Sequence, residues 1–210
     1  MELQEAIRRS TVVAGISVQK PGTQTRQNSI IVVLGANLFL SEEDINAAES
    51  FISSSKIVVC QLEIKPETTL AALKLAKKHN DFQNTRKANA EILSGVPVTC
   101  IKDTEKAIEI LLGKNCKTVI ITMGKLGAVF ATQGNRKPVH VPATPVTAVD
   151  TTGAGDAFIG ALSYFLSTRP DMELKEAIRR STVVAGISVQ KPGTQTSFPW
   201  RKDLSDDLFK

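Results

Sequence analysis

The sequence predicts an α/β fold with a largely parallel sheet, and two observations carry that prediction. Short apolar runs rich in β-branched residues alternate along the chain with stretches in which apolar residues recur at helical spacing. Hydrophobic residues make up 42% of the 210 residues and charged residues 22%, which supplies enough apolar side chain for a sizeable core. Such sheets bind ligands outside the carboxyl ends of their strands, so residues at strand ends are the candidates for a site.

The first half of the chain contains two predicted strands and two predicted helices. Residues 29–35 and 56–63 are continuous apolar runs typical of buried strands. Ser41 precedes three acidic residues and apolar residues at helical spacing, so we expect it to cap a helix. A second helix is predicted over Pro66–His79, because proline suits its first turn and lysines lie near its end.

The second half continues the alternation of helices and strands. Residues 104–112 predict a helix. Residues 118–124 predict a third buried strand, with Ala128–Thr132 as its hairpin partner or as an edge strand. Residues 146–149 have the composition of a strand and lead into an amphipathic helix that starts near Asp156.

One segment of the chain occurs twice. The sequence of residues 1–25 is repeated at residues 172–196. The two copies differ at a single position, which is Gln4 in the first copy and Lys175 in the second. Solenoid repeats are adjacent, numerous and divergent, so duplicated coding sequence explains this pair better than a symmetric structural role for both copies. We expect one copy to occupy a native position in a domain of residues 27–210. The other, helical over about residues 3–18, would form an appendage of residues 1–26 that covers part of an exposed apolar face.

The composition excludes several classes of function. The net charge is only +5 and aromatic residues make up 5% of the chain, too few for a surface that stacks nucleic-acid bases. No apolar run approaches the roughly 18 residues of a membrane span, and the first residues lack the pattern of a signal peptide. The three cysteines have no metal-ligand spacing and cannot all pair, which fits a reducing compartment. We therefore expect a cytoplasmic protein, with the nucleus as an alternative, and neither a nucleic-acid nor a membrane partner.

Residues 150–156, with the sequence DTTGAGD, are the most informative stretch of the chain, because they lie between a strand-like run and an amphipathic helix. Gly153, Ala154 and Gly155 leave backbone N–H groups accessible at a helix N-terminus, as an anion hole for a phosphate requires. Asp156 is placed to take a proton from an alcohol that attacks that phosphate. A glycine-rich turn with acidic caps is the alternative, and the complete motif in its context favours the functional interpretation.

The motif resembles the C-terminal motif of the ribokinase family, part of the carbohydrate kinases named after phosphofructokinase B. Four further segments resemble that family in the same order, namely residues 29–37, 60–63, 121–127 and 188–200. The resemblance implies a three-layer α/β sandwich with a mostly parallel central sheet that binds nucleotide. It also implies phosphate transfer from ATP, with Mg²⁺, to the 5-hydroxyl of D-ribose. Fructokinase or adenosine kinase specificity is the less favoured variant.

The same resemblance implies roles for individual residues. Asp156 corresponds to the general base, Glu63 to a carboxylate that contacts ribose, and Gly153, Ala154 and Gly155 to the anion hole. Without the resemblance, turn glycines alone would explain residues 122–127, and Glu63 would be interpreted as a solvated charge. The residues expected to bind the nucleotide are Thr122, Met123, Gly124, Lys125, Leu126, Gly127, Gly155, Asp156 and, beside adenine, Thr182. Those expected to bind a monovalent cation such as K⁺ are Asp150, Thr152, Ser188, Lys191, Gly193 and Ser197.

Two departures from the family pattern qualify these expectations. Only 28 residues precede residue 29, and 25 of them are the repeated segment, so the first strands, the sugar-gripping elements and the β-lid are expected to be missing. The first copy has Arg26 where the second has Ser197, so only the second copy can complete the cation site.

Residues 79–91 show no strand where one is due, which indicates a deletion. Their candidates for the family's Asn-x-x-Glu pair, which organises Mg²⁺, are Arg86 with Asn89 or Asn89 alone.

Two hypotheses follow from the resemblance and these departures. The chain is an ATP-dependent sugar kinase, or it is a truncated or chimeric non-catalytic product that at best binds nucleotide. Lid closure excludes water and orders the reacting hydroxyl, so we expect this chain alone to have little activity on ribose. A homodimer formed through the lid, as in family members, is disfavoured without that lid.

Overall fold

The computed structural model describes residues 16–18, 29–31, 35–60, 63–79, 90, 94–114 and 116–210. Two compact units, residues 1–81 and 82–210, divide the chain. The division falls inside residues 79–91, the stretch in which the sequence shows no strand. The division expected after residue 26 rests on the repeated segment and stays a prediction.

A small antiparallel strand pair belongs to the first unit. Strand β1, Ile16–Val18, pairs with strand β2, Ser29–Ile31, so that Ile16 lies opposite Ile31 and Val18 opposite Ser29. The prediction of a helix over about residues 3–18 is therefore wrong at residues 16–18. Isoleucine and valine have restricted rotamers that suit strands, and the segment 29–31 supplies the hydrogen-bonding partner that a strand needs.

Helices make up most of the described part of the first unit. A 3₁₀ helix, Gly35–Phe39, begins where the strand predicted over residues 29–35 was expected to end. Helix α1, Glu42–Ala47, is capped as predicted, because Ser41 Oγ accepts the N–H of Asp44 at 3.4 Å and the Asp44 carboxylate accepts the N–H of Ser41 at 2.9 Å. After Ala48 the chain continues as helix α2, Glu49–Ser54. Helix α3, Pro66–His79, has the predicted bounds.

The strand predicted over residues 56–63 is absent from residues 56–60, the part of it that the structure describes before Glu63. An apolar, β-branched run favours a strand but cannot supply the neighbouring backbone that a strand pairs with. These residues instead belong to the connection between helices α2 and α3. Lys78 on α3 forms an ion pair with Glu49 on α2, with 3.1 Å between Nζ and Oε1. Burial raises the pKa of the Cys60 thiol in the connection.

A three-stranded sheet lies at the centre of the second unit. Its strands are β3, Thr118–Thr122, β4, Ala128–Thr132, and β5, Val139–Val141, in the order β3-β4-β5. Phe130 on β4 lies opposite Ile120 on one side and Val139 on the other, so β4 is the hairpin partner of β3 and not an edge strand. All strand pairs in the described residues are antiparallel, unlike the mostly parallel sheet predicted. The reason is that short connections can join only antiparallel neighbours.

Helices cover both faces of this sheet, as expected for a layered α/β sandwich. Helix α4, Ile101–Gly113, packs against the face that carries Val119 and Ile121. Helices α5, Ala154–Thr168, and α6, Leu174–Ser188, pack against the opposite face, which carries Ile120. Successive side chains of a strand point to opposite faces, so the uninterrupted apolar run of β3 serves two hydrophobic cores.

The segments that flank α5 and α6 are irregular. Residues 146–149, predicted as a strand, form none, because the N–H groups of Val149 and Asp150 share the carbonyl of Val189 at 2.7 and 3.1 Å instead of forming a ladder. After α6 the chain forms short 3₁₀ helices, namely Gln195–Ser197, Arg201–Asp203 and Asp206–Leu208. Among the described residues, no helix has both the length and the apolar character needed to span a membrane.

Candidate active site

The turn that precedes helix α5 has the conformation that an anion hole at a helix N-terminus requires. Gly153 is the N-cap residue, with φ 80° and ψ −4°, a left-handed conformation that glycine adopts without steric cost. The N–H of Ala154 donates to the carbonyl of Thr151 at 3.3 Å, and the N–H of Ala157 donates to the carbonyl of Gly153 at 2.9 Å. Helix geometry therefore directs the N–H groups of the first turn, which includes Gly155, toward its N-terminal end.

Asp150 joins this turn to the loop that follows helix α6. Its Oδ1 accepts the N–H of Thr152 at 3.0 Å, and its Oδ2 accepts the N–H of Gly193 at 3.1 Å. Gly193 has φ 90°, a conformation that favours glycine, and a Cβ there would lie 2.5 Å from Thr196 Oγ1 unless that side chain moved. The structure thus brings together three of the six residues predicted to bind a cation, Asp150, Thr152 and Gly193.

An aromatic ring makes a second contact between the same two loops. A Cβ placed on Gly153 would lie 3.0 Å from Cε1 and 3.2 Å from Cζ of Phe198, and 3.6 Å from Cα of Thr194. The edge of the Phe198 ring therefore lies directly against the glycine that begins helix α5. Phe198 is a site residue that the sequence did not predict, because an apolar side chain carries no chemical function. Its only indication was its position within residues 188–200.

Asp156 lies in the first turn of α5, exposed, at the wall of a cavity of about 510 Å³. Most of that wall is apolar, with Tyr164 from α5 and Phe198 from the loop after α6 among the lining side chains. The cavity also includes Arg201, whose guanidinium carbon lies 3.8 Å from the centre of the Phe209 ring. The predicted general base is thus accessible, and the cavity beside it has room for a small molecule.

The loop predicted to lie under ATP is a tight turn after strand β3. The N–H of Met123 donates to the carbonyl of Gly127 at 2.7 Å, and the N–H of Gly127 donates to the carbonyl of Gly124 at 2.9 Å. Gly127 has φ 91°, and a Cβ there would lie 2.1 Å from the carbonyl oxygen of Val141, so no other residue fits. Of the predicted nucleotide-binding residues here, Thr122 is half-buried, Met123 and Gly127 are buried, and Gly124, Lys125 and Leu126 are exposed.

Three predicted site residues use their hydroxyl groups as donors to nearby carbonyl oxygens. Thr182 Oγ1 donates to Arg179 at 2.6 Å, Ser188 Oγ donates to Ala185 at 2.8 Å, and Ser197 Oγ donates to Thr194 at 2.7 Å. Each hydroxyl oxygen keeps its acceptor lone pairs, so these bonds remain compatible with a ligand role. Lys191, another of the predicted cation ligands, has an exposed side chain.

The structure does not test the roles of the remaining predicted residues. Glu63 lies in the first unit, and Arg86 and Asn89 lie outside the described residues, so their assigned roles stay predictions. The three cysteines, all described, are free thiols. In the part of the chain that the structure describes, no group of three His, Cys, Asp or Glu side chains could hold a metal ion. Among the predicted cation ligands Asp150 is the only carboxylate, and a divalent ion takes more carboxylates or a phosphate, so this set of residues suits a monovalent cation better.

Comparison with known proteins relates this geometry to one group of enzymes. Residues 84–201, more than half of the chain, match the pfkB family of carbohydrate kinases. Ribokinase from the mouse, Mus musculus, is 40% identical over 222 aligned residues, which cover 95% of this chain and 68% of the mouse protein. A deoxyribokinase from Salmonella typhi is 36% identical, and that alignment covers 86% of this chain and 65% of the bacterial protein.

Solved structures give the same result for the fold. The structure is similar to ribokinase from Thermotoga maritima, with a TM-score of 0.71 and 31% sequence identity, over 90% of this chain and 67% of the other. It is also similar to Arabidopsis thaliana ribokinase complexed with ribose and ATP, with a TM-score of 0.70 and 25% identity, over 86% of this chain and 65% of the other. The chain therefore spans about two thirds of the length of the relatives that it matches.

Proposed function

The chain belongs to the pfkB family of carbohydrate kinases, and on that premise we propose that it transfers the γ-phosphate of ATP to a sugar hydroxyl with Asp156 as the general base. The observation that carries the proposal is the pairing of two features in one helical turn. The left-handed Gly153 begins α5 with its N–H groups directed outward, and the exposed Asp156 carboxylate lies in the same turn beside a cavity. Phosphate and attacking alcohol can therefore be held side by side.

The first turn of α5 would stabilise the charge of the transferred phosphate. Phosphoryl transfer needs positioning and electrostatic stabilisation more than covalent chemistry, and a helix N-terminus supplies both through backbone donors and its dipole. Gly153 and Gly155 lack side chains that would shield this backbone. The Asp156 carboxylate would accept the proton of the attacking hydroxyl as the bond from the sugar oxygen to the γ-phosphorus forms and the bond to the departing ADP breaks, so that no free alkoxide is needed.

The turn formed by residues 122–127 would support the nucleotide. Its shape is fixed by the Met123–Gly127 and Gly127–Gly124 hydrogen bonds, while Gly124, Lys125 and Leu126 present an exposed outer side. A preformed turn loses little conformational entropy when a ligand binds, which favours a role in positioning. Thr182 is proposed to lie on the adenine side, with its methyl group and hydroxyl oxygen as the contacting groups.

The junction between Asp150 and the loop after helix α6 would hold the monovalent cation. The proposed ligands are those predicted from the sequence, of which Asp150, Thr152 and Gly193 are linked by hydrogen bonds in the structure. A cation there would add positive charge beside the anion hole. Mg²⁺ would arrive with ATP, since this ion is commonly held by substrate phosphates with one or two carboxylates.

We propose D-ribose as the sugar and its 5-hydroxyl as the acceptor, with Glu63 as a contact to the ring hydroxyls. The support is the name of the mouse relative and the ribose bound in the Arabidopsis structure, each of which describes that protein. Deoxyribose is the competing substrate to test, because a deoxyribokinase is among the relatives. The two sugars differ by one hydroxyl, which a site built to hydrogen-bond it can distinguish strongly.

The proposal is tested by replacing Asp156 with asparagine and measuring ATP-dependent phosphorylation of ribose and deoxyribose. Loss of a general base costs about 10²–10⁴-fold in rate, so we expect Asp156→Asn to lower turnover by at least ~100-fold. Asp171→Asn is the matched control, because Asp171 is exposed in the turn between α5 and α6 and has no proposed role. Equal rates for the wild-type chain and Asp156→Asn would overturn the assignment of the base.

A thermal melt with an ATP analogue, Mg²⁺ and K⁺ separates the kinase from its non-catalytic alternative. A ligand that binds the folded chain raises the melting temperature by mass action. A rise that requires K⁺, together with turnover, supports the complete proposal. A rise without turnover would favour the nucleotide-binding product that has lost catalysis, and no rise at all would reject both.

A further inference from the structure

We propose that Phe198 is a positioning residue whose ring holds Gly153 in its left-handed conformation and thereby fixes the first turn of helix α5. The ring edge occupies the space in which any other residue would carry its Cβ, with Cε1 and Cζ 3.0 and 3.2 Å from that position. An open glycine samples left-handed, right-handed and extended conformations at similar cost. A ring packed against one side of it removes part of that freedom, so the contact selects the conformation that begins α5.

The turn that carries Phe198 is itself well fixed. Ser197 precedes it, is almost fully buried, and donates both its N–H and its hydroxyl to the carbonyl of Thr194, at 3.1 and 2.7 Å. Phe198 ends the 3₁₀ helix Gln195–Ser197 with φ −64° and ψ 126°, ordinary extended values that store no strain. The ring is therefore presented to Gly153 from a rigid support.

The two loops are joined by contacts of different chemistry. The Asp150 carboxylate accepts the N–H of Gly193, the carbonyl of Val189 accepts the N–H groups of Val149 and Asp150, and the Phe198 ring packs against Gly153. An apolar contact on the N-cap residue restricts rotation of the turn beyond what the polar contacts before it impose. The apolar contact is the one that touches the N-cap residue directly, so it governs where the N–H groups of the following turn point.

Phe198 also forms part of the cavity wall beside Asp156. The ring therefore lies between the anion-binding end of α5 and the space where an alcohol would approach. The catalytic part of this inference rests on the proposed kinase function, because positioning has a kinetic meaning only if Asp156 and the helix N-terminus act on a phosphate. The structural part concerns the apo protein and can be tested without turnover.

The structural test measures hydrogen exchange of single amides of α5 in the full chain. The N–H of Ala157 donates to the carbonyl of Gly153, and the N–H of Arg169 donates to the carbonyl of Phe165 at the other end of the helix. The ratio of the exchange rates of these two amides therefore reports on the first turn alone. We expect Phe198→Ala to speed exchange at Ala157 about tenfold relative to Arg169, and Phe198→Leu to restore most of the protection. Phe130→Ala is the matched control, since it removes a phenyl ring of the same size from the hydrophobic core on one face of the sheet. If that variant does not fold, Leu166→Ala serves instead.

The kinetic test compares kcat with KM in the same variants. A looser first turn should lower kcat about tenfold for Phe198→Ala while KM for ATP changes less than about twofold, because the nucleotide turn is untouched. Phe198→Leu should recover kcat. Unchanged exchange ratios in Phe198→Ala would overturn the inference, as would equal changes in the control. An inactive wild-type chain would reject the kinase proposal and leave the exchange result to decide this one.

A third measurement uses the steric contact directly. Gly153→Ala places a methyl group against the Phe198 ring in a left-handed conformation that alanine disfavours. Removing the ring should relieve the steric part of that penalty, so the double variant with Phe198→Ala should lose less melting temperature than the two single losses together. Strict additivity would mean that the ring does not restrain Gly153.

Discussion

The two copies of the repeated segment differ in structure where both are described. In the first copy Ile16–Val18 is strand β1, paired with residues 29–31. In the second copy the same three amino acids, residues 187–189, end helix α6 and provide its C-cap, Val189. Local propensity is identical in the two places, so the partner elsewhere in the chain decides the conformation.

The second copy has partners that occur only once in the sequence. Helix α6 packs on helix α5, with Ala177 and Ile178 in the same core as Phe158, Leu162 and Phe165. Its C-cap residue, Val189, accepts the N–H groups of Val149 and Asp150 at the start of the DTTGAGD motif. The nearly identical segment at residues 1–25 cannot use those same groups at the same time. The difference teaches that in this molecule the packing partners of a segment, more than its own sequence, determine its secondary structure.

The largest effect that would sharpen this comparison comes from truncating one isoleucine in each copy. Ile178 is fully buried, so Ile178→Ala should lower the free energy of unfolding by about 2–5 kcal/mol through lost burial and a residual cavity. Ile7→Ala is the matched variant, because its sequence neighbours are the same except at position 4. We expect a smaller loss there. Urea denaturation gives both values, and equal losses would break the comparison.

Arginine replacement should have the next largest effect. Arg180 Nε donates to Glu176 Oε1 at 2.7 Å, and its Nη1 donates to the carbonyl of Leu208 at 2.6 Å in a buried position. Arg180→Ala would leave that carbonyl without this charged donor, at a cost of about 1.5–3 kcal/mol. Arg9→Ala makes the same change in the first copy. A shift in the urea midpoint for Arg180→Ala no larger than that for Arg9→Ala would contradict the expected role.

The smallest expected effect is a pH dependence of stability from Glu176. The hydrogen bond from Arg179, helped by Arg180, lowers the pKa of the Glu176 carboxyl from 4.5 to about 2. Because the pKa is lower in the folded chain, this stabilisation is present above pH 4.5 and is lost as the pH falls toward 2. Partly exposed pairs of this kind contribute about 0.2–1 kcal/mol.

The measurement is the melting temperature of wild type and Glu176→Gln between pH 7 and pH 2.5. Glu176→Gln should melt lower at pH 7, and the gap should close as the pH falls below 4.5. Glu5→Gln in the first copy is the control. A constant gap across the whole range would show that the glutamine acts through packing rather than charge.

Elements with local start and stop patterns were predictable from the sequence. Helix α3 has the predicted bounds, and the Ser41 cap of α1 forms as expected, because prolines, acidic first turns and capping side chains act within a few residues. Strand β3 and its hairpin with β4 follow from the same locality. The strands predicted at residues 56–63 and 146–149 failed at their described residues, because a strand depends on a partner that the segment does not contain.

The candidate site shows the same division between local and distant effects. The DTTGAGD motif predicted a helix that starts within it and the position of Asp156 in the first turn, all within seven residues. The bond between Asp150 and Gly193 spans 43 residues, and only the family resemblance assigned these two residues to one site. Phe198 was missed for a related reason, since no local pattern marks a ring that contacts a glycine in another loop.

The turn after strand β3 sets very different limits on future sequence change at its two glycines. Gly127 meets the backbone of residues 141–143 with no room for a side chain, so selection can accept no replacement there. Gly124 has φ 57° and open space around it, and asparagine or aspartate tolerate that conformation. Over generations Gly127 should remain invariant, while position 124 should vary among a few residues. The same turn therefore contains one position that accepts only glycine and, three residues before it, another that accepts several residue types.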